Sequence, residues 1–295
     1  MRFTIGCDPE FMLYNQDTKL LVSAVPIIRG TKKKPDELKH GAIHHDNVNV
    51  EVTIKPAKTK IEFIKNISSV LSDAARKVSP LKIMSTASAE FPSSELMTSD
   101  ARRFGCDRDY DVYTTKGNRI NMGLQRGNLR STGGHIHLGA VNGKPPILLS
   151  KEGKLISVKV LDIIIGIPSV LLDKDMSSIK RRSLYGKAGC YRPTPYGVEY
   201  RVLSSFWLNS PKVTSLVFDL ASTAIKILSD EPKVKVLLSL VSSDKICKAI
   251  NNSKYDIAYD IFIQTIKFFP KAVFNQVLKI SSRKSDFDLY KEWKL

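Results

Sequence analysis

Several devices that proteins use to hold phosphates or metals are missing from this 295-residue chain. It has no G-x-x-x-x-G-K-[ST] and no G-x-G-x-x-G, which excludes a P-loop and a Rossmann-type phosphate turn. Its four cysteines, Cys7, Cys106, Cys190 and Cys247, are scattered with no C-x-x-C pair, which excludes a thiolate zinc site and a dithiol redox motif. No internal repeat or low-complexity tract occurs, so a solenoid is excluded as well. The longest apolar stretch, residues 158–172, is too short to span a bilayer and is broken by Lys159, Asp162, Gly166 and Pro168; it reads as a buried helix. The chain starts directly on a strand-like pattern, without the basic and apolar regions of a signal peptide, which predicts a cytoplasmic protein that does not engage a membrane. Acidic residues are scarce relative to basic ones, 29 against 46, and the resulting charge of +17 attracts polyanions without selecting among nucleotides, nucleic acid and acidic cell-wall polymers.

What is present is an ordinary globular composition, 42% hydrophobic and 25% charged. The expectation is one domain over residues 1–295, with a core at 1–210 and a helical C-terminal extension at 211–295. Residues 2–6 and 11–14 read as two strands around a turn at Cys7-Asp8-Pro9-Glu10, and residues 20–24 continue the strand pattern. Residues 30–41 read as a surface loop, and residues 47–54 as a strand with Val48, Val50 and Val52 on one face and Asn47, Asn49 and Glu51 on the other. Helical spacing runs from Ala57 to Val78 and ends at Pro80. Further strands are expected at 83–91, 134–139 and 198–204, and helices at 155–172 and 213–228; residues 92–128 read as a long excursion and 177–196 as basic and irregular.

The candidate chemistry lies in a two-residue repeat. Asp8 with Glu10, Asn47 and Asn49 with Glu51, His135 with His137, and Glu199 with Arg201 each follow a two-residue spacing in strand contexts, so each set aims at one side of a sheet. Taken singly, these pairs read as a turn, a hydrogen-bonded histidine pair or a surface ion pair. Their joint occurrence predicts a shared face, where so many buried charges require a cation among them. Oxygen ligands with one or two imidazoles suit Mg²⁺ or Mn²⁺. With no phosphate-binding loop, phosphate contacts must come from discrete basic side chains; Arg130 and Arg201 lead, ahead of Arg181, Arg182, Lys187 and Arg192 in a stretch that reads equally as solvated surface.

The motifs GCDPEF (residues 6–11), HDNVNVEVTIKP (45–56), FGCDRDYDVYT (104–114), RSTGGHIHLG (130–139) and YGVEYRVLSSFW (196–207) together resemble the phage-type carboxylate-amine ligases, amidoligases of type 2, which are relatives of glutamine synthetase and glutamate-cysteine ligase. The resemblance implies an α+β fold in which a curved antiparallel sheet lines an active-site funnel with helices on its outer face. It implies ATP and Mg²⁺ as cofactors, with Glu10, Glu51, His135 and Glu199 as metal ligands and Asp8 as a further ligand or supporting group. His137 and Lys187 join Arg130 and Arg201 as nucleotide contacts, Arg201 and Glu51 take part in catalysis, and Asp46 or Asp107 serves as base. Asp8 departs from the Glu-x-Glu of glutamine synthetases, its shorter arm reaching a metal through water. The implied substrates are amino acids, peptides or cell-wall peptides, and the implied location is a host cytoplasm if the protein is phage-encoded. A metal-dependent nuclease, a guanidino-kinase-like phosphotransferase and a non-catalytic binding module stay open on the residues alone, nucleic acid being the less favoured partner because no aromatic residues interleave the basic clusters. Oligomeric state is not addressed by the sequence.

Overall fold

A run of twelve residues in which apolar and polar side chains alternate, Phe3–Tyr14, forms the central strand of the molecule. The computed structural model describes residues 3–102, 109–114, 117–118, 127–282 and 287–295. In chain order the strands are β1 (Phe3–Tyr14), β2 (Leu21–Val22), β3 (Asp36–Leu38), β4 (Gly41–Asp46), β5 (Asn49–Ile54), β6 (Lys82–Met84) and β7 (Ser88–Glu90). They continue with β8 (Asp109–Asp111), β9 (Gly117–Asn118), β10 (Leu129–Ser131), β11 (Gly134–Ala140), β12 (Cys190–Thr194) and β13 (Gly197–Tyr200). The main sheet runs in the order β3-β4-β5-β1-β11-β13-β12-β8-β9, with β2 and β6 paired to the far end of β1 and with β7 and β10 forming a separate two-stranded ribbon. Every strand pair is antiparallel.

One face of this sheet is the hydrophobic core. Ile5, Phe11, Val50, Val52, Ile136, Leu138, Val198 and Tyr200 are all fully buried there. The helix Lys60–Val78 covers β4 and β5 with Phe63, Ile67, Val70, Leu71 and Ala74, which recur at helical spacing. Each of these side chains larger than Ala74 contributes roughly 1.5–3 kcal/mol of transfer free energy. The helix Pro211–Leu228 packs on that helix, and the helical stretch Lys151–Leu172 lies against both it and β13. Among the described residues, Lys151–Leu172 alone is long and apolar enough to cross a membrane, and 83% of its apolar window is buried inside the protein. A smaller core of Met12, Leu21, Val48, Phe91, Leu96 and Ala101 lies apart from the first.

The α+β class, the antiparallel sheet and the helical C-terminal region agree with expectation. Several local expectations do not. The Asp-Pro-Glu segment is no turn; β1 runs straight through it. The N–H of Glu10 goes to the Gly133 carbonyl, 2.8 Å away, so the nitrogen of Pro9 faces the other side, where pairing with β5 reaches only Glu10 and Phe11. A missing donor is harmless at that point. Asn47 is a turn residue with φ of 48°, joining β4 to β5, and not part of the strand. The expected loop at 30–41 contains β3 and leads into β4, while the basic 177–196 stretch contains the helix Ser178–Leu184 and β12. The expected strand at 83–91 is two short ones, β6 and β7.

Candidate active site

In an antiparallel sheet, directly opposed residues lie on the same side. His44 opposes Glu51, Glu51 opposes Glu10, Asp8 opposes His135, His137 opposes Glu199, and Glu199 opposes Arg192. The two-residue repeat within β1, β11 and β13 links these pairs, so one polar strip crosses the sheet on the face away from the main core. The predicted pairs therefore do converge.

Within the strip, ligand atoms of Asp8, His135 and Glu199 lie within 4.8 Å of one another, and so do those of Glu10, Asp46 and Glu51. Around the first group the charges are balanced. Arg201 hydrogen-bonds Glu199, and its Nε lies 2.5 Å from Asp109 Oδ1. Arg192 Nη1 donates to Glu199 Oε2 at 3.2 Å. Asp8 Oδ1 is 3.0 Å from His137 Nε2 and 3.4 Å from His135 Nδ1. Burial would raise the Asp8 carboxyl, but the His137 and His135 imidazoles outweigh it and hold Asp8 well below the usual carboxylate range. Burial would likewise lower His137, yet Asp8 carries it up to about 10, while Tyr196 Oη meets its Nδ1 at 2.7 Å. His135 goes the other way, lowered by burial and then by Arg201.

The second group is short of positive charge. Burial, followed by the neighbouring Asp46 and Glu51 carboxylates, pushes Glu10 well above its ordinary value. Burial also raises Glu51, against the pull of His44, whose Nε2 is 3.3 Å away. Glu10 Oε2 accepts from the Gly133 N–H at 2.9 Å and from the Tyr185 hydroxyl at 3.2 Å.

The local sequence explains how these side chains fit. Gly133 precedes the histidine pair because a Cβ there would stand 2.2 Å from His135 Nε2. The Tyr185 ring packs 4.5 Å from the Arg181 guanidinium and edge-on to His135 at 6.2 Å, so this one phenol touches members of both groups.

The donor set suits a hard divalent cation. Three crowded carboxylates in one group, and one imidazole with two carboxylates in the other, match the ligands of Mg²⁺ and Mn²⁺. The buried His135 Nε2 and Asn49 Oδ1 have no hydrogen-bond partner among the described residues, which fits an additional ligand in the strip.

Not every nominated residue joins the strip. Asp46 does, but among the metal-type donors instead of standing apart as a base. Arg130 lies in the two-stranded ribbon, where its guanidinium donates to the carbonyls of Gly127, Leu129 and Ala101. Lys187 is exposed in the turn before β12, and Asp107 lies outside the described residues. Arg181 and Arg182 are buried and not solvated: Arg181 binds the carbonyls of Thr132, Val202 and Arg201, and burial lowers Arg182 to about 10. Sequence reasoning missed His44, Asp109 and Tyr185 as members of the site. Asp109 was legible inside the FGCDRDYDVYT motif, and His44 from its place two residues before Asp46; Tyr185 carries no signal in its neighbours.

No curated protein matches the chain. Among solved structures it is similar to a bifunctional glutathione synthetase from Pasteurella multocida, at 13% identity and a TM-score of 0.49, over 99% of this chain and 48% of that one. The chain thus spans about half the length of that protein. A family model described as phage phiEco32-like COOH.NH2 ligase-type 2 matches residues 115–294, which takes in His135, Glu199 and Arg201 together with the helical region that no motif reading had used. The chain therefore belongs to the phage phiEco32-like COOH.NH2 ligase-type 2 family.

Proposed function

We propose that this protein is a ligase that uses ATP to join a carboxylate to an amine through an acyl phosphate, on the polar strip that crosses the sheet. The single observation that carries the reading is the convergence, from five strands, of two ligand groups, Asp8-His135-Glu199 and Glu10-Asp46-Glu51, beside Arg201. Free carboxylates are poor electrophiles because oxide is a poor leaving group; phosphate leaves readily once its charge is held. The substrate carboxylate oxygen attacks the γ-phosphorus, the bond to the β-phosphate oxygen breaks and ADP departs. The amine nitrogen then attacks the acyl carbon, phosphate leaves, and the amine proton passes to a carboxylate of the strip.

Mg²⁺ or Mn²⁺ bound by the two groups supplies neutralising charge for the phosphates. The protein's own residues do the rest. Arg201 presents a guanidinium to the transferring phosphoryl group, its direction fixed by Glu199 and Asp109. His137, tethered by Asp8 and Tyr196 and less buried than His135, stands where a nucleotide phosphate can reach it. In this reading Asp46 moves from base to ligand, and Arg130, whose guanidinium donates to the Gly127 and Leu129 carbonyls, is not used. The chain acts as one unit over residues 1–295 in a cytoplasm, on amino-acid, peptide or cell-wall peptide substrates.

The test is ATP turnover across pairs of carboxylates and amines, with mass spectrometry for products that have lost one water. ADP released only when both partners are present supports the reading. Shortened nucleic acid without ATP, or a phosphorylated nitrogen with no amide, would replace it with a nuclease or a phosphotransferase. Retention of a thermal shift by Mg²⁺ and ATP in Glu51→Ala, without turnover in the parent protein, would point to a binding module.

A further inference from the structure

On the face of the sheet opposite the polar strip, a second carboxylate is built in with as much care as the first. Asp162 is fully buried in an otherwise aliphatic stretch, between Leu161 and Ile163–Ile165. It opens a π-helical turn, Asp162–Gly166, in which the Ile167 N–H reaches back to the Asp162 carbonyl. Pro168 follows; lacking an N–H, it cannot close an ordinary helical turn onto Ile164, and the wider turn accommodates this.

No cation meets the Asp162 side chain among its described contacts. Instead the Tyr200 hydroxyl donates to Oδ1 at 2.7 Å, the Tyr113 hydroxyl donates to Oδ2 at 2.9 Å, and the Gly189 N–H adds a third donor. Two glycines clear the space. A Cβ on Gly166 would lie 2.5 Å from the Tyr200 hydroxyl, and one on Gly189, whose φ is +78°, would lie 2.7 Å from the Tyr113 ring. Such a buried carboxylate costs several kcal/mol unless its donors are well placed, so its position argues for a role beyond packing.

The two tyrosines say what that role is. Tyr200 points into the core between Glu199 and Arg201, which point into the strip, and Tyr113 follows β8, whose Asp109 grips Arg201. We infer that Asp162 is a positioning residue: by fastening β13 and the end of β8 to one helix, it fixes the Glu199-Arg201-Asp109 constellation from behind. The inference rests on the proposed role of Arg201 as the phosphate contact.

The test uses the full chain, Mg²⁺ and a non-hydrolysable ATP analogue, with Asp162→Asn and Tyr113→Phe, each alone and in an Arg201→Lys background. Tyr113→Phe deletes only one hydroxyl from a half-buried ring, so it carries the test if Asp162→Asn does not fold. Analogue affinity falls about tenfold in each single variant, the scale expected when a reacting group shifts by a fraction of an ångström. In the Arg201→Lys background neither variant weakens binding further, and amide exchange accelerates in residues 109–114 and 197–201. Affinity within twofold of the parent, or an equal added loss in the Arg201→Lys background, overturns the inference. Should the parent protein not bind the analogue, the ATP reading fails by itself. Exchange then decides: acceleration confined to those two segments supports the latch, and unchanged exchange overturns it.

Discussion

The two halves of the polar strip are made by the same strand pairing, yet their charges are settled in opposite ways. On the β11–β13 side, Glu199, Asp109 and Asp8 each meet a guanidinium or an imidazole, and Asp8 is held well below its ordinary range. On the β4–β5 side, Glu10 and Glu51 are pushed up, burial leading and neighbouring carboxylates adding to it in both. A folded protein tolerates the first arrangement by itself, whereas the second is relieved by an incoming cation. The comparison teaches that one half has its charges paired within the fold, as the proposed phosphate contact of Arg201 requires, and that the other keeps an excess of carboxylate that a cation would offset.

The strongest way to break this comparison is Arg201→Met. Loss of the phosphoryl contact is expected to lower kcat by about 10³-fold, the scale of a catalytic arginine, with the KM for the amine unchanged, as read by ADP release. An equal loss in both constants would mean that the charge-paired half does not orient phosphate.

Neutralising one carboxylate in each half should then move stability in opposite directions. Glu199→Gln leaves Arg201 and Arg192 short of a counter-charge in a buried setting and is expected to cost about 3–5 kcal/mol in denaturant unfolding without metal. Glu51→Gln relieves crowding, so the metal-free protein is expected to be as stable as the parent or more so, while the Mg²⁺ concentration needed for thermal stabilisation rises at least about tenfold. The same sign in both variants would erase the distinction.

Asp162 calibrates what burial does without competing charge at close range. Its folded value of about 7 lies above an unfolded value of about 3.9, so its contribution to stability is complete below about pH 4 and is lost as pH rises through about 7. The stability of the parent relative to Asp162→Asn should therefore fall by a few kcal/mol between those limits. A flat difference would sink this assignment. Outside the strip, the part-exposed pair of Lys60 Nζ and Asp219 at 2.7 Å sets the lower end: Lys60→Ala should change stability by less than about 1 kcal/mol.

Legibility in the sequence followed period and local context. The helix Lys60–Val78 and the strands carrying Asn49 and Glu51, His135 and His137, and Glu199 could be read because a repeat of 3.6 or 2 is a one-dimensional signal. So could the inward direction of Asp8 and Glu10, although turn chemistry at Asp-Pro-Glu hid the continuity of β1. What escaped depended on pairing partners. The order of β4, β5 and β1 assigns Asp46 to a group with Glu10, and nothing near residue 46 reveals that neighbour. Arg130 and Arg181 looked like phosphate contacts by residue type, yet backbone carbonyls had already claimed them, Gly127 and Leu129 close by in sequence for Arg130, Thr132 and Val202 far off for Arg181.

Because Asp8 and Glu10 face the strip while Ile5, Cys7 and Phe11 face the core, β1 has no neutral side. Deleting a single residue ahead of Asp8 would turn its carboxylates into the oil and its aliphatics toward solvent, so reactivity and folding share one ruler. Evolution can lengthen the loops around this strand, but it cannot change the count within it.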